Sequence, residues 1–190
     1  MVILVGYASA HGSTREIAER IGGRLREHGN SVDIRSLARV ADAGVYDAVV
    51  MGSAIHNGAW LREGSEFLRR NCEALAARPV WAFSVGSHAG LGRLGWWMIA
   101  HAGDPKGLAE FEPDFGPRDH HRFAGAFYRR HTSFIGNVIF RAMGGRYGDY
   151  RDWAEIDAWA EHIAAELELL QPAAMPKAGA SPLPAGANPA

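Results

Sequence analysis

Short apolar runs alternate with amphipathic stretches through most of this chain, and that alternation constrains the fold more than any other feature. Residues 2–7, VILVGY, are a nearly continuous apolar run of the kind buried on both faces in a parallel sheet. Ile17, Ile21 and Leu25 then recur at four-residue spacing, with Arg15, Glu19, Arg20 and Arg24 between them, which predicts an amphipathic helix ended by Gly29. Residues 31–36 read as a weaker second strand and residues 47–52 as a third. Leu61, Leu68, Cys72 and Leu75 mark the stripe of a second helix, which places Cys72 in the core. Residues 80–85 form a fourth strand and residues 123–128 a fifth. Asp152 and Glu155 resemble a capping box, and Trp153, Ile156, Trp159, Ile163 and Leu167 form the stripe of a last helix. Strands separated by helices imply an α/β domain with a parallel sheet.

The regular alternation breaks twice. Residues 86–122 are rich in Gly, Pro and His, with a short helix expected at residues 94–99, and a connection this long is often functional. Residues 171–190 are dominated by Ala and Pro without periodicity, so a disordered tail is expected there and a single domain over residues 1–170. Twenty basic against 21 acidic residues leave a net charge of −1, which argues against a chain built to grip nucleic acid. One cysteine excludes a disulfide framework and any multi-cysteine metal centre, and suits a reducing cytoplasm. No apolar run reaches membrane-spanning length and no signal peptide is evident, so a cytoplasmic protein is expected.

Open parallel sheets bind ligands beyond the carboxyl ends of their strands, so the segments after each strand carry the functional argument. The first is Ser9-Ala10-His11-Gly12-Ser13-Thr14 running into a helix. Three hydroxyls and a glycine at a helix N-terminus suit a phosphate. The competing reading is a capping box made by Ser13 and Glu16, for which one hydroxyl would suffice. The loop lacks the glycines of a dinucleotide fingerprint, and Ser13 stands where a nucleotide-hydrolysing loop carries lysine. The strand ends supply no carboxylates for magnesium. A phosphomonoester held by hydroxyls and backbone suits FMN. After the third strand come Ser53, Ala54, Ile55, His56, Asn57, Gly58 and Trp60, and after the fourth Gly86, Ser87, His88 and Gly90. Small residues here let backbone approach a flat ring, and nearby N–H groups can stabilise a reduced flavin. His56 or Trp60 is positioned to stack on that ring, although Trp60 equally suits the start of the second helix. His120 and His121, with His88, His101 and His131, make an unconvincing metal site, because adjacent histidines on an extended chain diverge. Ser87-His88 lacks the context of a hydrolase nucleophile.

The loop Ser9-Ala10-His11-Gly12-Ser13-Thr14 resembles the phosphate loop of flavodoxins, with His11 in place of a threonine. Five further features resemble the menaquinone-dependent protoporphyrinogen oxidase branch of the flavodoxin superfamily. They are Gly12-Ser13-Thr14-Arg15-Glu16-Ile17-Ala18, Gly52-Ser53-Ala54-Ile55 with Gly58, Phe83-Ser84-Val85, a long insertion before Phe123-Ala124-Gly125-Ala126, and Gly144-Gly145 followed by Asp152-Trp153. The resemblance implies a five-stranded parallel sheet of order 2-1-3-4-5 in an α/β/α sandwich, with an insertion before strand 5. It also implies an FMN-dependent oxidoreductase of heme biosynthesis, in which hydride passes from a porphyrinogen to the flavin and electrons pass on to a quinone. A porphyrinogen substrate, a quinone acceptor and at most peripheral membrane contact follow from it. Arg129 and Arg130 then suit an anionic tetrapyrrole, and Trp96-Trp97-Met98-Ile99 either covers the flavin, touches membrane or quinone, or packs in the core. No catalytic side chain and no metal are expected. The alternatives are an electron carrier, disfavoured by the balanced charge, and a domain that has lost FMN and serves as a binding module.

Overall fold

The N-terminal apolar run forms β1, Val2–Ala8, the strand on which the sheet is built. It lies between β2, Ser31–Ser36, and β3, Ala48–His56, both parallel to it. Val5 sits opposite Ile34 on one side and Val50 on the other. β5, Val80–Gly86, and β6, Asp119–Ala124, continue the sheet in the order β2-β1-β3-β5-β6. Counting only the five parallel strands, this is the expected order 2-1-3-4-5. The computed structural model describes residues 1–86, 88–92, 97, 101, 103–131, 134–142 and 144–170. Of the helix expected at residues 94–99 only Trp97 is described, helical and exposed rather than packed in the core; the cluster residues Trp96, Met98 and Ile99 and the tail expected at residues 171–190 lie outside the described residues.

Alternating side chains feed two cores, as a sheet buried on both faces requires. Ile3, Val5, Val50, Trp81 and Phe83 pack against α1, Ser13–Glu27, and against α5, Trp153–Leu170. Leu4, Val49, Met51, Val80 and Ala82 pack on the other face against α2, Arg62–Ala76. Two shorter helices, α3 (Glu112–Phe115) and α4 (Phe134–Ala142), fall in the second half of the chain. Among the described residues no helix is long and apolar enough to cross a membrane.

Four details depart from the sequence reading. The fifth parallel strand covers Asp119–Ala124 rather than residues 123–128, with Trp81 opposite Asp119 and Gly86 opposite Ala124. It is an edge strand with half-buried polar residues at its start, so an apolar run does not mark where it begins. Past Gly125 the chain leaves the sheet, and β7, Ala126–Phe127, pairs antiparallel with β8, Gly148–Asp149. Residues 57–58 turn β3 back into β4, Ala59–Trp60, which was expected to be loop. Asn57 and Gly58 both have positive φ (51° and 74°), the conformation this dipeptide favours in two-residue hairpins. Cys72 is half-buried rather than core, with Sγ 3.7 Å from Asp114 Oδ2. The buried position is its neighbour Asn71, whose Oδ1 accepts from Ala43 N. Trp153 is 38% exposed beneath Arg151 rather than part of the buried stripe of α5. Asp152 does cap α5, accepting from the N–H groups of Ala154 and Glu155.

Candidate functional site

The loop after β1 turns into α1 through Gly12, whose φ of 95° favours glycine. No side chain caps this helix. Ser13 Oγ instead accepts from Ala126 N at 3.0 Å, tying the loop to the segment after β6. Glu16 turns to Arg151, 2.5 Å away. The capping-box reading therefore fails, and the first N–H groups of α1 keep the electropositive character of an uncapped helix start. Ser9 Oγ accepts from Gly12 N at 3.0 Å and holds the loop curled around that helix end. Arg151 also pairs with Asp149, and these two carboxylates, Asp149 foremost, hold its guanidinium firmly protonated. The cation neutralises Glu16, the one acidic side chain in the first turn of α1.

Beside this helix start lies a cavity of about 280 Å³. Ser9, Ala10, His11, Ser13 and Thr14 form one wall. Ala54, Ile55, His56 and Asn57 form a second, with Leu61. Val85, Gly86, Gly125, Ala126 and Phe127 close the third. None of the lining residues is an Asp or Glu. The combination of free helix N–H groups, hydroxyls and a carboxylate-free apolar wall fits a flat ring carrying a phosphomonoester.

The expected site residues divide into wall and support. Ser9, Ala10, His11, Ser13, Thr14, Ala54, Ile55, His56, Asn57 and Gly86 meet at the cavity. Gly12 shapes the turn behind it. Ser53 is fully buried and works internally, its Oγ accepting from Leu61 N and donating to Ala54 O. Gly58 sits at the hairpin tip. Trp60 is not a stacking residue: it is 3% exposed, and its indole Nε1 donates to Ser84 Oγ at 2.7 Å. Gly90 lies away from the cavity, its carbonyl accepting from Arg146 N and its α-carbon close to Phe140. His88 begins a 3-10 turn, His88–Leu91, and Ser87 lies outside the described residues. Arg129 and Arg130 fall in the exposed turn Arg129–His131 shortly after Phe127, with the Arg130 guanidinium 4.9 Å from the Tyr128 ring centre.

Five lining residues escaped the sequence reading: Leu61, Val85, Gly125, Ala126 and Phe127. Gly125 carried a usable signal. A Cβ there would lie 2.8 Å from Val85 Cγ1 and 3.3 Å from both Gly86 O and Ser13 Oγ. Only glycine lets the chain cross so closely over the end of β5, but placing residues 123–128 in one strand hid this as a loop. His120 and His121 diverge, as expected of adjacent residues on an extended strand. His120 meets Ser84 and Asp104, whereas His121 turns to Glu155. Among the described residues no group of three or more His, Cys, Asp or Glu is placed to hold a metal.

Comparisons with known proteins agree with this fold. The family profile described as "Flavodoxin domain" matches residues 4–143. Protoporphyrinogen IX dehydrogenase [quinone] of Escherichia coli K12 is 25% identical over 175 residues, covering 86% of this chain and 95% of that protein. A flavodoxin from the domain Archaea superposes with a TM-score of 0.57 at 18% identity, covering 88% of this chain and 99% of that one. Oxidised flavodoxin 2 from Bacillus cereus gives 0.56 at 16% identity, covering 87% and 98%. With the profile spanning most of the sheet and both sides of the cavity, the chain belongs to the flavodoxin domain family, whose cofactor is FMN.

Proposed function

We propose that the protein is an FMN-dependent oxidoreductase that accepts hydride from a small organic substrate, a porphyrinogen, and passes the electrons to a quinone. The observation that carries this reading is the uncapped start of α1 opening on a cavity without acidic lining. The similarity to protoporphyrinogen IX dehydrogenase [quinone] along nearly its whole length supports the choice of substrate class.

Ser13, Thr14 and the backbone at the start of α1 would hold the phosphate, and His11 adds a donor where a hydroxyl is replaced. Ala54, Ile55, His56 and Asn57 would lie along one side of the ring, and Gly86, Gly125 and Phe127 along the other. FMN held there would supply a two-electron acceptor. The protein's own task is then to orient the ring, exclude water and set the local electrostatics, none of which needs an acid or base side chain. Arg129 and Arg130, exposed beyond Phe127, would meet the carboxylates of an anionic tetrapyrrole at the cavity mouth. A net charge of −1 favours an enzyme over a carrier, because carriers that dock on basic partners benefit from a strongly acidic surface.

The decisive assay is anaerobic mixing of the purified yellow protein with protoporphyrinogen. Bleaching of the flavin absorbance, followed by its return on adding a menaquinone analogue, is the expected result. A flavin that stays oxidised with porphyrinogen but exchanges electrons with protein partners would make the chain a carrier. Protein that takes up no FMN would leave the binding-module reading.

A further inference from the structure

A chain of hydrogen bonds runs behind the cavity through side chains that the proposed chemistry does not use. Ser84 lies inside β5, fully buried, on the α2 face that it shares with Ala82. Its Oγ is 2.7 Å from Trp60 Nε1 and 2.8 Å from His120 Nε2. His120 Nδ1 is 2.9 Å from Asp104 Oδ1, and Arg122 Nη2 donates to that same oxygen at 2.8 Å. These groups come from β4, β5, β6 and the connection before β6.

The proton positions follow from chemistry. The indole nitrogen of Trp60 only donates, so Ser84 Oγ accepts from it. The Asp104 carboxylate accepts, so His120 carries its hydrogen on Nδ1. Nε2 of the neutral ring is then an acceptor, and the Ser84 hydroxyl donates to it. Every donor and acceptor along the chain is satisfied in this one arrangement.

Its mechanical consequence falls on the β3–β4 hairpin. Trp60 is the last residue of β4, and the same hairpin carries His56 and Asn57 on the cavity wall. The other edge of β4 is held by the connection that carries Asp104: Trp60 N donates to Lys106 O at 2.9 Å, and Lys106 N to Gly58 O at 3.0 Å. Asp104 thus anchors both the relay and the segment alongside the hairpin.

We propose that His120 is a positioning residue for the cavity: as the neutral Nδ1–H tautomer held by Asp104 it fixes Ser84 and Trp60, keeping the β3–β4 hairpin seated, and a proton taken up at Nε2 releases it. A hydrogen on Nε2 would reverse the His120–Ser84 bond, so that the Ser84 oxygen accepts from both Trp60 and His120 and its own hydrogen has no acceptor among them. The Ser84 hydroxyl would lose its acceptor in a fully buried position, which is costly. The charged groups acting on the ring are Asp104, Arg122 and Asp119. Burial pushes the imidazole down from its ordinary value against the pull of Asp104, so the neutral form prevails at physiological pH.

The first readout needs no cofactor, and only the second rests on the FMN reading. Amide exchange is followed on the full chain at Trp60 and Lys106, corrected for the intrinsic pH dependence, with Val5 in β1 as reference. Between about pH 7.5 and about pH 5 the wild-type opening constant at both amides should rise about tenfold, the equivalent of one lost buried hydrogen bond, while Val5 stays unchanged. His120→Gln keeps an acceptor for Ser84 but does not titrate in this range, so its exchange should be independent of pH. His120→Phe should show the open level throughout, and if it does not fold, the Gln and wild-type pair decides. Protection at Trp60 and Lys106 that ignores pH in the wild type, or a step that survives in His120→Gln, overturns the proposal. FMN titration should show the same step in Kd for the wild type and none for His120→Gln. No FMN uptake with the exchange step present removes the flavin reading and leaves the clamp. FMN uptake without an exchange step removes the clamp and leaves the flavin reading.

Discussion

Gly12 offers the sharpest test of where the phosphate would sit. A Cβ there meets open space, with Glu16 Oε1 the nearest atom at 3.7 Å, so substitution creates no steric clash. The backbone cost comes from φ of 95°. It is about 1 kcal/mol for most residues and less for Asn or Asp, which tolerate the left-handed region. Gly12→Asn and Gly12→Asp therefore carry nearly equal strain and equal volume, and differ by one negative charge. If a phosphate dianion binds at the start of α1, the repulsion can be sized by taking a separation on the order of 6 Å. At an effective dielectric between water and protein interior, the repulsion is about 2–3 kcal/mol, or roughly a hundredfold in Kd. The assay is titration of FMN by fluorescence quenching, with riboflavin, which lacks the phosphate, as control. The expected result is a few-fold loss for Asn, a roughly hundredfold loss for Asp, and no Asn–Asp difference for riboflavin. Equal FMN affinity in the two variants would refute the placement of the phosphate at this loop.

Two further predictions follow from the ion pairs around α1. Arg151→Met leaves Glu16 without its cation beside the loop, so FMN affinity should fall about tenfold, and adding Glu16→Gln should restore most of it; a double variant as weak as the single one in FMN titration would show that Arg151 acts otherwise. Asp157 joins α5 to α1 through Arg20 and Arg24, and these hydrogen bonds, Arg20 foremost, hold its carboxyl far below the usual carboxylate range. A depressed carboxyl stabilises the fold above the unfolded-state value of about 4 and loses that contribution as pH falls below it. The urea midpoint of Asp157→Asn should therefore sit below wild type at neutral pH, with the gap narrowing steadily as pH falls below about 4 and closing only in strong acid, and a gap that does not narrow below about pH 4 would contradict the ion-pair account.

The strands themselves and the hydroxyl-rich loop at residues 9–14 were legible because both rest on local chemistry, whereas the strand order was implied by the family resemblance. A run such as residues 2–7 has one low-energy use, burial on both sheet faces. Hydroxyls around Gly12 before a helix stripe have few uses besides an anion. The hairpin at Asn57-Gly58 was also legible in principle, since both residues favour positive φ, but small residues after a strand read equally as a ligand loop. Trp60 shows the limit of local reading. An aromatic after a ligand loop suits a stacking role, and only the packing of β4 over Ser84 sends its indole inward. Likewise Asn71 and Cys72 sit one residue apart on α2, and the donor at Ala43 N selects Asn71 for the buried face.

The amino-acid order alone determined the layered α/β architecture, the place of the first phosphate-binding candidate, and the near-neutral net charge. Periodicity, turn chemistry and charge are properties of neighbouring residues, so they need no folded chain. Only the tertiary structure decided that Ser13 ties to Ala126 instead of capping its helix, that Gly125 and Phe127 complete the cavity, and that His120 joins Asp104 to Ser84. Each of these joins residues far apart in sequence. Their distance is set by strand register and crossing loops, and no local pattern encodes it.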